Sequence, residues 1–295
     1  MSTDDVLGPG RIALVTGASR GIGPVIARHL AAAGSHVVLT GRSAGDLSTV
    51  AAEITATGGD VSVRTADLTV AGAAEALVEA VEAERGGLDL LVNNAGGDPL
   101  RQFHVMTMEQ NLAILRLNLV APLALTHTAL PGMLGRRRGH IVNISAMAGR
   151  VSFPYTEAYA AAKDGLIGFT RVLRGDYREL GVSASVVILG PIRGAGQGQR
   201  MIDEAGLPTS RLMAPADAVG RAVVRAVRKD RAELVVMPGP ARLLRALLDY
   251  FPALGPALNR ASGTRRTLDQ VRERRAQQAD GAPAPGGASS SRRAA

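Results

Sequence analysis

The sequence predicts an α/β fold in which a parallel sheet, with seven strand candidates, is covered by helices on both faces. Short β-branched apolar runs alternate with longer stretches of helical spacing along most of the chain, which is typical of doubly wound folds. Several runs are apolar at successive positions, as expected for strands buried on both sides of a sheet. The 295 residues suffice for one large domain or two small ones.

Seven strand candidates follow one another in chain order, with helical stretches between them. One such stretch places Leu47, Val50 and Ile54 on a single helix face. The strand candidates are Ile12–Thr16, His36–Thr40, Val61–Thr65, Leu88–Asn93, His140–Ser145, Val182–Ile188 and Glu233–Met237.

Two segments depart from this alternation. Gly190–Pro215 is rich in Gly and Arg, so we predict a long functional loop, such as a lid. Residues 241–260 carry an apolar stripe on a helical spacing, formed by Leu243, Leu244, Leu247, Leu248 and Phe251. This amphipathic helix is expected to dock on the domain or on a second subunit, and contact with a membrane surface is the alternative.

The predicted domain spans residues 11–240, between a flexible N-terminus (1–10) and a basic, largely disordered tail (261–295). The tail holds much of the formal charge of +8. It lacks the aromatic residues on which nucleic-acid bases stack, so no nucleic-acid partner is expected. We expect no membrane-spanning run and no signal peptide, and hence a cytoplasmic protein. The absence of cysteine excludes disulfides, thiolate metal sites and cysteine nucleophiles, and no metal site is predicted.

A glycine-rich turn follows the first strand candidate and leads into a helical stretch. Glycines at such a turn let the backbone approach a pyrophosphate, whose charge then faces the helix N-terminus. The turn predicts a dinucleotide site of the Rossmann type that includes Gly17, Ser19, Arg20, Gly21, Ile22 and Gly23.

The residue after the second strand candidate bears on which dinucleotide binds. An NAD site usually has an acidic residue there to hold the ribose hydroxyls, but this chain has Arg42. Arg42, with Ser19 and Arg20, could neutralise a 2′-phosphate, whereas the alternative is a plain surface arginine. The sequence favours NADP(H).

Three further motifs complete the pattern: Asn93-Asn94-Ala95-Gly96, a single Asn118, and Tyr159 four residues before Lys163. With them the chain resembles the short-chain dehydrogenase/reductase family from about residue 11 to 238. The resemblance implies a single Rossmann domain, an NAD(P)-dependent oxidoreductase acting on a small carbonyl or alcohol substrate, and assembly as a homodimer or homotetramer.

The Tyr159–Lys163 pair also has a physical interpretation of its own. Side chains four residues apart project from one face of a helix. A tyrosine titrates near pH 10, so the Lys163 ammonium and an oxidised nicotinamide are expected to lower its pKa. Tyr159 could then exchange a proton with a carbonyl oxygen as hydride is transferred. Tyr155 has no lysine four residues on and is not expected to react.

Several roles rest on the resemblance alone. Lys163 is implied to hold the nicotinamide ribose, and Asn118 to anchor a water in a proton relay. Asp67, with Leu68, resembles the residue that contacts adenine, although capping of the next helix is an equally good role. Asn93 is more consistent with a tie between strands than with a reacting group. The remaining cofactor contacts are expected at Asn94, Ala95, Gly96, Pro191 and Ile192.

The chain departs from the family where a catalytic serine normally lies, 13 residues before the tyrosine, because Ala146 stands there. Ser145 and Ser152 are the candidate substitutes, although Ser145 should point to the opposite face of its strand. Gly194 likewise replaces a hydroxyl residue. Two functions therefore remain open: a reductase of ketones, or a dinucleotide-binding protein with weak or no catalysis that acts in regulation or scaffolding.

Overall fold

The computed structural model describes residues 6–151, 153–206, 213–239, 251 and 269. Its strands are β1 (Ile12–Thr16), β2 (His36–Gly41), β3 (Val61–Thr65), β4 (Leu90–Asn93), β5 (Gly139–Ala146), β6 (Val182–Leu189), β7 (Ile192–Arg193), β8 (Ala214–Pro215) and β9 (Glu233–Val236). Seven of them form one parallel sheet in the order β3-β2-β1-β4-β5-β6-β9, and β7 pairs with β8. All seven predicted strands are thus confirmed, with ends that shift by two residues at most.

Helices cover both faces of the sheet. They are α1 (Gly23–Ala32), α2 (Ala44–Ala56), α3 (Ala73–Arg85), α4 (Met108–Leu115), α5 (Ala121–Gly135), α6 (Glu157–Tyr177), α7 (Gly196–Ala205) and α8 (Asp217–Arg228). Successive residues of β1 serve different cores: Val15 packs with α1, α2 and α8, whereas Leu14 packs with α3, α5 and α6. This two-sided burial explains why the strand sequences are continuously apolar.

The strand order reverses between β1 and β4. At such a point the loops that follow neighbouring strands leave in opposite directions, which opens a crevice at the carboxyl ends of the strands. The predicted site residues follow β1, β2, β3, β4, β5 and β6, and they therefore converge on the carboxyl ends of the strands around this crevice.

Two sequence-based expectations need correction, and a third falls on residues that are not described. Gly190–Pro215 is not a plain loop, because it contains β7, α7 and β8. The N-terminus is not flexible as far as residue 10: Val6 and Leu7 are buried in the core beside α1. The predicted helix 241–260 and tail 261–295 lie outside the described residues, apart from Phe251 and Asp269.

The helical stretch Met108–Gly135 is long and apolar enough to cross a membrane by length and composition, contrary to the expectation that no such run exists. Its α5 part packs against the sheet, with Leu125, Ala129 and Met133 buried. The core helix of a soluble domain meets the same criterion, so the stretch is explained by its place in the fold.

Candidate active site

A cleft of about 1130 Å³ opens at the carboxyl ends of the strands. Gly23 and Asn118 lie outside its lining, and Ser152 lies outside the described residues. The other predicted site residues line it: Gly17, Ser19, Arg20, Gly21, Ile22, Arg42, Asp67, Leu68, Asn94, Ala95, Gly96, Ser145, Tyr159, Lys163, Pro191 and Ile192.

The glycine-rich turn between β1 and α1 requires its glycines. Gly17 and Gly21 have φ of +65° and +69°, a region that side chains disfavour. A Cβ on Gly17 would lie 2.8 Å from the Cα of Ala95, and one on Gly23 would collide with the Gly17 carbonyl oxygen. Gly23 therefore contacts the side of the turn that faces away from the cleft. Gly17 and Gly21 present backbone without a side chain to the cleft.

Thr16 joins the end of β1 to the end of β4, a role that sequence reasoning missed. Its Oγ1 accepts hydrogen bonds from the backbone N–H groups of Asn94 and Ala95, each at 3.0 Å. The Asn94 side-chain Nδ2 donates in return to the carbonyl oxygens of Thr16 (2.9 Å) and Gly17 (3.2 Å). Asn94 thus holds the glycine turn in place. A threonine that ends a strand just before such a turn was the available signal.

Arg42 and Asp67 lie at the far end of the cleft from Tyr159. Asp67 Oδ1 accepts hydrogen bonds from Thr69 N (3.0 Å) and Thr69 Oγ1 (2.7 Å). These bonds lower the pKa of Asp67 and the Arg42 guanidinium adds to the effect, while burial opposes it. Since α3 begins at Ala73 with Gly72 as its N-cap, the alternative that Asp67 caps the next helix is wrong.

Tyr159 and Lys163 project from the first turns of α6 into the opposite end of the cleft. The Lys163 Nζ lies 5.5 Å from the centre of the Tyr159 ring. It donates a hydrogen bond of 3.0 Å to the Ile144 carbonyl oxygen, and the side chain is buried. The helix therefore presents a phenol and an amine side by side, as the sequence predicts.

The electrostatics of this pair differ from the sequence-based expectation. Burial raises the pKa of Tyr159 well above its usual range, and the negative charge of Asp98 raises it further. Burial also lowers the pKa of Lys163 to about 8. The expectation of an unusually acidic phenol is therefore wrong for the protein's own groups. At neutral pH Tyr159 is a phenol that can donate a proton.

Asn118 lies in a π-helical turn, Arg116–Val120, between α4 and α5. Its Oδ1 accepts from Gly97 N (3.1 Å), and its Nδ2 donates to Gly97 O and Ile114 O (both 2.9 Å). The side chain is fully buried, and these bonds tie the loop after β4 to the helix. Asn118 also packs against Gly96, because a Cβ on Gly96 would lie 2.5 Å from Asn118 Oδ1. A relay role for Asn118 stays a prediction.

Ser145 does not replace the hydroxyl that Ala146 lacks. It is buried, and its Oγ donates its single proton to the Lys163 carbonyl oxygen at 2.9 Å. A hydroxyl whose proton is already donated can only accept a further hydrogen bond, so it cannot stabilise negative charge on a substrate oxygen. Ser145 instead ties β5 to α6. Asn93 also ties strands together, because its Nδ2 donates to Asn143 Oδ1 on β5 at 2.8 Å.

The segment after β6 forms the outer wall of the cleft. Gly194 has φ of +79°, which a β-branched residue tolerates poorly, so the local backbone explains why a threonine-like residue is absent. The N-terminus of α7 faces the glycine turn: a Cβ on Gly21 would lie 3.5 Å from the Gly196 Cα.

The two ends of the cleft differ in polarity. The Tyr159 end includes six apolar lining residues, Ala146, Met147, Val151, Phe153, Leu189 and Met237, and the α7 wall of the cleft adds the polar residues Gln197, Gln199, Arg200 and Asp203. The far end carries Arg20 and Arg42, with Asp46 and Asp67 as opposing charges. Among the described residues, no group of His, Asp or Glu side chains could hold a metal ion.

A dinucleotide fits these residues. Gly17 and Gly21 line the cleft without side chains just before the N-terminus of α1, where a pyrophosphate would lie. The arginines lie where the adenosine half would end, and the buried Lys163 lies where the other half would reach.

The comparisons with known proteins agree with this geometry. The family model described as short chain dehydrogenase matches residues 11–204. Ketoacyl reductase HetN of Nostoc is 32% identical over 78% of this chain and 80% of its own. 3-Oxoacyl-[acyl-carrier-protein] reductase FabG of Escherichia coli is 35% identical over 69% and 84%. A metagenomic short-chain oxidoreductase solved in complex with NADP has 33% identity and a TM-score of 0.68, covering 78% of this chain and 97% of its own. This chain therefore belongs to the short-chain dehydrogenase family and is an NAD(P)-dependent oxidoreductase.

Proposed function

We propose that the chain interconverts a ketone and a secondary alcohol with NADP(H), and that Tyr159 is the acid/base. One observation carries the proposal: Tyr159 and Lys163 share a cleft with the glycine turn and lie beside its apolar lining. A proton donor, a cationic clamp and space for an apolar substrate are the protein groups that this reaction needs.

The protein supplies the proton side of the reaction. The cofactor supplies hydride when it is bound. At neutral pH the Tyr159 phenol carries its proton and can donate it to the carbonyl oxygen during reduction. Because its pKa is raised, the phenol is a weak acid, and it depends on the Lys163 charge to stabilise the phenolate that donation leaves. Lys163 holds its charge below about pH 8, where it stabilises the resulting phenolate and binds ribose hydroxyls.

The preference for NADP(H) over NAD(H) is proposed on the charges after β2. Arg42 comes directly before Ser43, which caps the N-terminus of α2 by accepting a hydrogen bond from Asp46 N. A 2′-phosphate there would meet the guanidinium and the helix dipole together. Arg20 and Ser19 line the same end of the cleft. These groups must outweigh the Asp46 carboxylate, which is the opposing charge.

The substrate proposed for this cleft is a ketone with an apolar chain, because the lining near Tyr159 is apolar. The names of two relatives, ketoacyl reductase and 3-oxoacyl-[acyl-carrier-protein] reductase, support a ketone. A homodimer or homotetramer, a cytoplasmic location and the absence of a nucleic-acid partner stay predictions.

The test is reduction of a panel of aliphatic, steroid and 3-oxoacyl thioester ketones by NADPH. Tyr159→Phe removes the proton donor and keeps the ring, so we expect kcat to fall about 10²- to 10⁴-fold while NADPH affinity stays within about twofold. Wild-type turnover no higher than that of Tyr159→Phe across the panel would contradict the proposal.

A second function, dinucleotide binding with little chemistry in regulation or scaffolding, is favoured by one observation. Ala146 lacks the hydroxyl, and Ser145 has already donated its proton. One donor to a developing oxyanion is worth about 10²- to 10³-fold in rate. If the wild type is nearly inactive, Ala146→Ser should raise turnover by about that factor. A fast wild type that Ala146→Ser leaves unchanged would exclude this second function.

A further inference from the structure

A second cavity, of about 340 Å³, lies at the other end of the sheet from the dinucleotide cleft. Gly139 and His140 at the start of β5 and Ser183 at the start of β6 line it. The cleft lies at the carboxyl ends of these parallel strands, so the cavity lies at their amino ends. Its volume falls in the range of small-molecule sites. Within the described residues, it shares no lining residue with the cleft.

The imidazole of His140 is buried and lines this cavity. Its Nε2 lies 2.7 Å from Ser185 Oγ, and that hydroxyl donates its single proton to the Arg231 carbonyl oxygen at 2.6 Å. Ser185 must therefore accept from Nε2–H, which leaves Nδ1 as the acceptor of a neutral ring. Burial lowers the pKa of His140 to about 4, although the Asp230 carboxylate opposes the shift, so the ring is neutral at neutral pH. Among the described residues, no group donates to Nδ1.

Arg137 gives the same cavity an unpaired positive charge. The other charged residues of the lining are paired: Asp230 accepts hydrogen bonds from Arg174 Nη1 (2.6 Å) and Arg178 Nε (2.7 Å). Glu179 pairs with Arg178 at 3.2 Å. Arg137 is exposed and makes no side-chain hydrogen bond or ion pair with the part of the chain that the structure describes. Its guanidinium can therefore pair with an acid group of a ligand.

The backbone holds Arg137 and Asp230 in a conformation that favours glycine. Each lies two residues after the last residue of a helix, α5 and α8 respectively, with φ of +48° and +43°. Helices commonly place a glycine there, because side chains disfavour positive φ. An arginine and an aspartate at these positions cost stability, and such residues persist mainly at functional sites. The cost favours a role for the two side chains that line the cavity.

We propose that this cavity is a second binding site, for a small organic anion that also carries a hydroxyl group. The acid group pairs with the Arg137 guanidinium, and the hydroxyl donates to His140 Nδ1. Val6 and Val227 are buried and supply an apolar wall for the carbon chain between the two groups. A guanidinium suits a carboxylate and a phosphate equally well, so the test includes both. The site is separate from the cleft and does not depend on the proposed function.

Isothermal titration calorimetry of the full-length protein tests the site, with NADPH present throughout so that the cleft is filled. Glycerate and glycerol 3-phosphate carry both an acid group and a hydroxyl, whereas propionate lacks the hydroxyl and propane-1,2-diol lacks the charge. At least one of the first two probes should bind about tenfold more tightly than propionate or the diol. Which of the two binds more tightly identifies the acid group. No binding of either probe to the wild type would overturn the proposal.

Arg137→Gly separates a role in binding from a role in folding. Glycine suits the φ of +48°, so the Tm should stay the same or rise, while the affinity for the tighter probe should fall about tenfold. Arg28→Ala is the matched control, because Arg28 pairs with Glu53 away from the cavity, and its affinity should equal that of the wild type. Equal affinities in the wild type and Arg137→Gly would overturn the proposal.

The contact with His140 has a readout of its own. In protein labelled with ¹⁵N-histidine, the Nδ1 resonance of His140 should move when the tighter probe saturates the site, because a hydroxyl then donates to that nitrogen. Propionate, which has no hydroxyl, should leave the resonance in place. A Nδ1 resonance that does not move with a bound hydroxylated probe would overturn the assignment of His140 to the site.

Discussion

The two ends of the cleft are built in different ways. At the dinucleotide end, backbone meets backbone: the glycine turn lies against Ala95, and Thr16 and Asn94 bond mainly to main-chain groups. At the substrate end, side chains from distant segments meet: Leu100 and Tyr155 pack with Phe153 and Met201, and the Tyr155 hydroxyl donates to Asp269 Oδ1. Close contacts between backbone atoms tolerate few substitutions at the residues that make them. Contacts made by side chains can change one residue at a time.

The largest effect should come from a glycine at the dinucleotide end. Gly17→Ala places a methyl group 2.8 Å from the Ala95 Cα at a φ of +65°. We expect it to cost about 3 kcal/mol of unfolding free energy and to weaken NADPH binding about 100-fold. Urea unfolding and fluorescence titration measure the two effects.

Two other glycines serve as controls for this prediction. Gly72 also has positive φ (+79°) but no atom within 4 Å of an added Cβ, so Gly72→Ala should cost only about 1 kcal/mol. Gly97 lines the cleft, likewise with open space around it, and Gly97→Ala should change NADPH affinity less than about threefold. Equal losses of NADPH affinity in Gly17→Ala and Gly97→Ala would contradict the proposed difference between the two ends of the cleft.

The next effect concerns the charges at the dinucleotide end. Arg42→Ala should reduce the ratio of NADPH to NADH affinity about 10- to 100-fold, because it removes a charge-assisted bond to the 2′-phosphate. Arg28→Ala is the control, since Arg28 pairs with Glu53 on the surface. A ratio that survives Arg42→Ala would show that the preference comes from elsewhere or does not exist.

A pH profile examines Lys163 at the substrate end. Burial lowers the pKa of Lys163 to about 8, so the amine is charged below that pH and neutral above it. The rate of NADPH-dependent reduction should therefore fall as pH rises through 8, approaching about tenfold per pH unit. Lys163→Arg keeps a charge at all these pH values and should lose the inflection at 8, whatever its absolute rate. The same inflection in both proteins would assign it to another group.

The smallest effect should come from Asp98, whose negative charge helps to raise the pKa of Tyr159. Asp98→Asn keeps the side-chain acceptor for Leu100 N and removes the charge. Alcohol oxidation needs the phenolate, so its rise with pH should begin at a lower pH in Asp98→Asn than in the wild type. Asp60→Asn, at the surface near His36, should leave the profile unchanged. If the pH profile of alcohol oxidation is the same in Asp98→Asn and in the wild type, the Asp98 charge does not raise the pKa of Tyr159.

The sequence predicted the dinucleotide end well, because its determinants are local. Strands buried on both faces are apolar throughout, so β1 and β4 could be placed to within two residues. The glycine turn follows β1 directly, and Arg42 follows β2. Thr16 was missed because its partners, Asn94 and Ala95, lie 78 and 79 residues away in sequence, and only its place at the end of β1 pointed to its role.

The substrate end was predicted poorly, because its determinants are distant in sequence or electrostatic. No periodicity connects Tyr155 with Asp269, and the glycines after β6 hid α7. The direction of the Tyr159 pKa shift depends on burial and on Asp98, neither of which a four-residue spacing reveals. Ser145 could not be dismissed from the sequence, because its hydrogen bond to the Lys163 carbonyl oxygen joins residues 18 positions apart.

The π-helical turn Arg116–Val120 has a consequence for insertions and deletions in this chain. Such a turn holds one residue more than a regular α-helical turn, and each residue advances a helix by about 100°. Deleting Leu119 would let the segment rewind as an uninterrupted α-helix. The helix before the deletion would then turn by about 100° relative to α5, and Asn118 would turn with it. The loop after β4 would lose the hydrogen bonds between Asn118 and Gly97. Loss of one residue from a helix interior can thus remove the hydrogen bonds that hold a loop, although the sequence of the loop is unchanged.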